Sequence, residues 1–321
     1  MRILVTGGAG FIGSHLCERL VQDGHSVTAI DNFSTGSASN LEKLKSERGF
    51  KLIEGSILDT NLLLPLIEDS EYVFHLAAAV GVFNIVKNPL ASLLTNIRGT
   101  ENILELAHLT KTPVFLTSSS EVYGKNISDS LKEGDDRILG SPITLRWSYS
   151  EAKAIDESLA YAYFVEKQLE TRIVRFFNTV GPRQIGAYGM VVPRFVKSAL
   201  ANEPITIYGD GTQTRCFAHV YDVIDAVVAI AFANNTIGKV INIGNDFEIS
   251  IKNLAQKIID EVASKSEITY VPYEVAYGDG FEDMERRVPN IDLINQLVGW
   301  RPKRDLNAII SDISAEMKKD S

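Results

Sequence analysis

Arg2-Ile3-Leu4-Val5-Thr6-Gly7-Gly8-Ala9-Gly10-Phe11-Ile12-Gly13 passes from a short apolar strand through a glycine-rich turn into a helix predicted over Ile12 to Gln22. The spacing Gly7-x-x-Gly10-x-x-Gly13, placed between strand and helix, lets backbone approach a pyrophosphate whose charge the helix N-terminus stabilises. The next apolar run, Val27-Thr28-Ala29-Ile30, ends at Asp31, 18 positions after Gly13. A carboxylate there accepts hydrogen bonds from an adenosine ribose and repels a 2′-phosphate. No Lys or Arg occurs in Asn32-Phe33-Ser34-Thr35-Gly36, so NAD is expected rather than NADP. A turn-capping role for Asp31 is compatible with this one.

Outward from the turn, strand-like and helix-like segments alternate, the signature of a parallel sheet with helices on both faces. Lys51-Leu52-Ile53, Tyr72-Val73-Phe74-His75, Val114-Phe115-Leu116-Thr117 and Arg172 to Phe177 read as further strands. Most end in a small or polar residue, where an open sheet presents ligand contacts. After Asn178-Thr179-Val180-Gly181-Pro182-Arg183 the pattern loosens into loops such as Tyr208-Gly209-Asp210-Gly211 and Tyr277-Gly278-Asp279-Gly280. The expected architecture is an α/β, Rossmann-type doubly wound sheet over residues 1–177 and a smaller α/β lobe over 178–321. Val240-Ile241-Asn242 is expected to return to the first sheet within a segment near 213–245.

Composition narrows the function. The 321 residues carry a formal net charge of -9, which argues against a general nucleic-acid binder but not against a local basic pocket. Cys17 and Cys216 make no disulfide framework and show no metal-ligand spacing. No apolar run reaches membrane-spanning length, and the N-terminus enters the glycine turn directly, so a cytoplasmic protein without a cleavable signal is expected.

Tyr149-Ser150-Glu151-Ala152-Lys153 sets a phenol and an ammonium one helical turn apart. The ammonium favours the phenolate, so the tyrosine is expected to titrate nearer neutral pH. Such a base, beside a nicotinamide, could deprotonate a hydroxyl as its carbon gives up hydride. An ordinary amphipathic helix produces the same spacing.

The glycine turn, His75-Leu76-Ala77-Ala78, Thr117-Ser118-Ser119-Ser120-Glu121-Val122-Tyr123-Gly124, Tyr149-x-x-x-Lys153 and Arg175-Phe176-Phe177-Asn178 together resemble the extended short-chain dehydrogenase/reductases that epimerise, dehydrate or decarboxylate nucleotide sugars. The likeness runs nearly end to end. It implies that NAD is held tightly and recycled, contacted by Gly7, Gly10, Phe11, Ile12, Gly13, Asp31, Asn32, Leu76, Ala77, Ala78, Asn96, Thr117 and Phe176. Tyr149 would take the C4 hydroxyl proton, Lys153 would contact the nicotinamide ribose, and Ser119 would hydrogen-bond the reacting oxygen. A strand-end capping hydroxyl is the plainer role for Ser119. Ser56 departs from the family's usual Asp at the adenine; Ile57 remains a contact to the base.

Three fates are open to a 4-keto sugar. Dehydratases of this group follow the catalytic hydroxyl with Asp-Glu; here Ser120-Glu121 stands there, and serine is a poor acid for a leaving hydroxide. A 4-epimerase has no need of Glu121. Decarboxylases carry Thr/Ser-Ser-Glu, matched by Ser119-Ser120-Glu121, and an arginine before a proline, matched by Arg287. Arg146-Trp147-Ser148-Tyr149-Ser150 and Tyr277 to Asp283 resemble the bacterial UDP-glucuronate decarboxylase domain of lipid A modification. Arg287 could orient a substrate carboxylate, and Glu121 could oppose that carboxylate or relay a proton; a structural Glu121–Arg287 ion pair is the alternative. The resemblance gives Arg215 the diphosphate. Ser120, Asn178, Arg183 and Lys197 are further substrate candidates, and Thr206-Ile207-Tyr208 resembles a base clamp. Each could be an ordinary surface residue. Asp222 is expected as a helix cap. The favoured function is a UDP-glucuronate decarboxylase acting through a 4-keto intermediate, with a UDP-hexose or UDP-uronate 4-epimerase as runner-up and a non-catalytic NAD-binding regulator as a third. A homodimer pairing segments near 90–108 and 150–168 is expected.

Overall fold

The computed structural model describes residues 1–81, 87–186, 190–272, 275, 284 and 286–319. The stretch from Tyr277 to Asp283 singled out above falls outside them. Thirteen strands are assigned among the described residues: β1 (Arg2–Thr6), β2 (Ser26–Asp31), β3 (Phe50–Glu54), β4 (Tyr72–His75), β5 (Val114–Ser119), β6 (Thr171–Phe176), β7 (Thr179–Val180), β8 (Ile205–Tyr208), β9 (Thr214–Cys216), β10 (Ala218–His219), β11 (Val240–Ile243), β12 (Glu248–Ser250) and β13 (Ile268–Val271). The α-helices are α1 (Phe11–Gln22), α2 (Thr60–Glu68), α3 (Pro89–Thr110), α4 (Ser148–Lys167), α5 (Val191–Leu200), α6 (Val220–Ala231), α7 (Ile251–Glu261), α8 (Asp292–Val298) and α9 (Leu306–Lys319).

Seven parallel strands form the central sheet in the order β11-β6-β5-β4-β1-β2-β3. From β1 the chain winds outward through β2 and β3, then returns to β4 on the other side and winds through β5 and β6. The order reverses between β1 and β4, so a crevice opens at the carboxyl ends of these strands. The inner strands are apolar on both faces because helices cover both: Ile3, Val5, Leu16 and Val227 belong to one buried layer, and Leu4, Val73, Ile103 and Leu116 to the opposite one. The returning segment places Val240–Ile243 beside β6 at the sheet edge.

A second core joins α5, α7 and α9 through Val192, Phe195, Leu254, Ile258, Ile309 and Ile313, above the parallel pair β8–β13. These residues bury their side chains against one another, away from the sheet. Asp222 is not the cap expected of it. His219 occupies the N-cap of α6, its ring accepting the Tyr221 amide. The Asp222 carboxylate instead accepts the amides of Lys303 and Arg304, at 2.9 and 2.8 Å, and the Arg304 guanidinium. It pins the chain entering α9 to the sheet's flanking helix. No helix among the described residues is long and apolar enough to cross a membrane.

Candidate active site

A cleft of about 1180 Å³ opens at the switch point, walled by the glycine turn, the ends of β2, β4, β5 and β6, and residues of α4 and the C-terminal lobe. The turn itself tolerates no side chains at two positions. Gly7 has φ +70°, and a Cβ there would stand 2.8 Å from the Ala77 amide nitrogen. A Cβ on Gly13 would approach the Gly7 carbonyl oxygen to 2.1 Å. Gly10 caps α1 with no side-chain hydrogen bond, leaving the helix's first amides to an anion. This cradle fits a dinucleotide pyrophosphate. Asp31 lies at its edge with its two oxygens accepting the amides of Ala9 (2.9 Å) and Phe33 (2.8 Å). Each oxygen keeps a lone pair for a ribose hydroxyl.

Phe11, Ile12, Asn32, Ile57, Leu76, Ala77, Ala78, Thr117 and Phe176 also line the cleft. Ser56 and Asn96 do not. Ser56 Oγ accepts the Leu58 amide and closes a turn. Asn96, buried on α3, clasps Ala79 from both sides, accepting its amide at 2.7 Å and donating to its carbonyl at 3.2 Å. It shapes the loop after β4. His75 ends β4 between the hydroxyls of Thr6 (2.8 Å) and Thr100 (3.2 Å). Burial, and then the charge of Lys153, push this imidazole down to about 3, so it is neutral.

Ser119, Tyr149 and Lys153 converge on one wall. Ser119 Oγ accepts the Glu121 amide at 3.2 Å, capping the 3-10 turn Ser120–Tyr123, and also hydrogen-bonds the Tyr149 phenol. The capping role and the contact to the phenol therefore coexist in one hydroxyl. Lys153 lies on the same face of α4, one turn from Tyr149, and its Nζ donates to Asp156 Oδ2 at 3.1 Å. The expectation for Tyr149 requires correction. Burial pushes the phenol up, and the lowering by Lys153 and Ser119 does not overcome it. The negative charges of Glu121 and Asp156 act in the same direction as burial. Lys153 is held above its ordinary value despite burial, because Asp156 and the phenol favour its charge.

Glu121 faces two guanidiniums. Arg146 donates to Oε2 at 2.6 Å, and Arg287 donates to Oε1 and, at 2.8 Å, to Asn178 Oδ1. Burial would raise the Glu121 carboxyl, but the two arginines outweigh it and bring it down to about 2. The glutamate is ionised at neutral pH with both oxygens engaged, an arrangement unsuited to proton relay. Arg146 was missed by the sequence reading, although it stands three residues before Tyr149. Its 3-10 turn, Leu145–Trp147, leads directly into α4 and aims the side chain at Glu121.

Ser120 is buried in the cleft wall, and Asn178 is fixed there by donating to the Cys216 carbonyl. Arg215, buried, and Lys197, exposed, line the substrate end. Arg183 reaches the cleft but is spoken for: its guanidinium donates to Glu18 (2.5 Å) and Ser14 (3.2 Å), and its amide to Glu316. It ties α1 to α9 more evidently than it awaits a diphosphate. Tyr208 lines the cleft beneath the Arg194 guanidinium, 4.5 Å from its ring centroid. Thr206 lies outside the lining, beside Thr269 on β13.

The model of the NAD dependent epimerase/dehydratase family matches residues 3–244. The chain belongs to that family. It is 42% identical over 302 residues to a UDP-N-acetyl-alpha-D-glucosaminuronate decarboxylase of Bacillus cytotoxicus, covering 94% of this chain and 92% of the relative. It is 37% identical over 323 residues to UDP-glucuronic acid decarboxylase 1 of Danio rerio, covering 99% of this chain and 73% of that protein. Among solved structures, a UDP-glucuronic acid 4-epimerase from Bacillus cereus, in complex with UDP-glucuronic acid and NAD, superposes with a TM-score of 0.89 at 30% identity. That match spans all of both chains. As a family member the chain is an NAD-dependent enzyme, and the glycine cradle and Asp31 described above suit the adenosine and pyrophosphate of NAD.

Proposed function

We propose that the protein decarboxylates a UDP-hexuronate, with UDP-glucuronate and its 2-acetamido counterpart as the two substrates to be tested. The observation that carries this is the Glu121–Arg146–Arg287 cluster in the cleft wall, joined through the Glu121 amide to Ser119 Oγ. NAD, which the glycine turn and Asp31 would hold, would supply the hydride acceptor for C4 and the hydride donor for the final reduction. Tyr149, as the phenolate that Lys153 favours, takes the C4 hydroxyl proton, with Ser119 beside the same oxygen. The C4 ketone stands β to the C5 carboxylate, so the electrons of the breaking C5–C6 bond flow into that ketone as CO2 departs. The resulting enolate takes a proton at C5 from water, and Tyr149 returns its proton to the C4 oxygen when the ketone is reduced. Arg287 orients the carboxylate through its planar fork, which Glu121 and Asn178 hold in place. Ser120 offers no acid to expel a C6 hydroxide, which disfavours dehydration.

The B. cereus 4-epimerase likeness favours a second outcome, inversion at C4 with the carboxylate retained. Incubating the protein with UDP-glucuronate, UDP-N-acetylglucosaminuronate and UDP-glucose, followed by mass spectrometry and proton NMR, separates the two. Loss of CO2 supports decarboxylation; unchanged mass with an inverted C4 signal defeats it. Absence of any turnover with NAD bound would leave a binding protein.

The division at 177/178 is proposed with the 213–245 segment contributing to the first domain. A homodimer through α3 and α4 is also proposed, supported by the exposed Leu109, Ile155, Tyr161 and Val165 on those helices. Light scattering that returns a monomer mass at micromolar concentration would remove it.

A further inference from the structure

Asp156 is wholly buried on α4, three residues beyond Lys153, and its Oδ2 accepts the Lys153 ammonium at 3.1 Å. A buried carboxylate is costly unless its charge is met, and here the charge meeting it belongs to the residue that serves the catalytic phenol. We propose that Asp156 is a positioning residue of the oxidation step: its carboxylate holds the Lys153 ammonium charged beneath Tyr149 and, as a fixed negative charge, sets how alkaline the medium must be before Tyr149 acts as a base. The inference rests on the assignment of Tyr149 as the base for C4 oxidation.

The surroundings support a fixed charge over a proton conduit. From α3 the Thr100 hydroxyl stands beside both Asp156 and the His75 ring, whose far nitrogen meets the buried Thr6 hydroxyl. This chain ends in the core rather than at solvent. The other charged groups around the pair are accounted for. On α4, Glu157 is held by Arg175 of β6 at 2.7 and 2.9 Å. Glu121, after β5, is held by Arg146 and Arg287, and His75 on β4 is neutral.

The sign follows from counting charge. With Tyr149 protonated, Lys153 and Asp156 cancel, and loss of the phenolic proton creates a net negative charge in a buried site. Replacing Asp156 by a neutral residue makes the starting state net positive, so the Tyr149–Lys153 pair gives up its shared proton at lower pH. In the reaction the phenolate so formed takes the substrate's C4 hydroxyl proton at Tyr149 Oη, and NAD held in the glycine cradle would supply the acceptor for the C4 hydride.

The test is the pH profile of UDP-hexuronate turnover by the NAD-loaded enzyme, run with unlabelled and C4-deuterated substrate so that the isotope effect marks the oxidation step. Asp156→Asn and Asp156→Ser are both neutral, so the failure of one to fold leaves the other. The acid limb is expected about 1–2 pH units lower than in the wild type, the size of one charge effect at short range. Asp156→Glu returns it toward the wild-type position. A folded neutral variant that turns over slowly but keeps its limb at the wild-type pH overturns the inference, since a purely structural aspartate lowers rate without moving the limb. A wild-type enzyme showing no isotope-sensitive turnover of any UDP-hexuronate sinks the C4-oxidation assignment itself, which is a different result.

Discussion

Two buried charge clusters share the cleft wall, and they are built in opposite ways. Tyr149, Lys153 and Asp156 all come from α4, within eight residues of one another, so helix geometry alone brings them together. Glu121, Arg146 and Arg287 come from the turn after β5, the approach to α4 and a C-terminal loop, and only the completed fold assembles them. The first cluster sets one carboxylate against one ammonium, with a phenol left to titrate. The second locks one carboxylate between two guanidiniums and leaves no proton to move. Proton chemistry is thus local in the chain, whereas the proposed handling of the sugar carboxylate depends on tertiary structure.

The sharpest way to break this contrast is Tyr149→Phe. It removes the only proton acceptor assigned to C4 and is expected to lower every turnover, decarboxylation or epimerisation alike, by about 10²–10⁴-fold. NAD content, read from the absorbance of the purified protein, should stay unchanged. Substantial remaining turnover would mean that another group abstracts the proton.

The contrast also explains how far the sequence could be read. The sheet was legible because β1, β2, β4 and β5 are continuous apolar runs buried on both faces, and the glycine turn can be filled by no other residue type at Gly7 and Gly13. Tyr149 and Lys153 were legible from helical spacing, and Asp156 could have been, since it continues the same face. The fall expected for Tyr149 was not legible as an error, because the burial that raises the phenol is a property of the fold. Asp222 failed for the same reason: the amides that donate to it lie 81 and 82 positions away. Asn96 and Ser56 carry polar side chains near the cofactor cleft, yet backbone groups claim them.

The second cluster is tested by acid. The Glu121 carboxyl sits at about 2 in the fold against an ordinary 4.5. A depressed carboxyl contributes stability above its unfolded value and loses it as pH falls toward the folded one. That contribution, on the order of 3 kcal/mol, should be present at pH 7 and vanish between about pH 4.5 and 2. Chemical denaturation of wild type and Glu121→Gln checks it: the gap between them should narrow across this window and stay constant from pH 6 to 8. A gap independent of pH would show that the arginines do not depress the carboxyl.

Arg287→Lys separates the clusters chemically. Lysine keeps the charge but loses the planar fork that spans Glu121 and Asn178. CO2 release is expected to fall about 10–100-fold, while oxidation at C4, followed by hydride exchange from C4-deuterated substrate, changes only a few-fold. Equal losses in both would make the Glu121–Arg287 pair structural.

The smallest expected effect lies away from both clusters and shows where binding ends and chemistry begins. Arg194, on α5, was not singled out by its sequence, yet its guanidinium lies 4.5 Å above the Tyr208 ring at the substrate end of the cleft. A cation held over an aromatic face contributes about 0.5–1 kcal/mol at a partly exposed site, and here the ring is the one proposed to receive a planar base. Arg194→Ala should therefore weaken UDP binding by only about 2–5-fold in calorimetry, raise KM by the same factor and leave kcat alone, since the interaction is equal in ground and transition states. Neither the acid limb nor the product should shift. A fall in kcat would show that the ring's position is transmitted to C4, and the two charge clusters would no longer account for the chemistry between them.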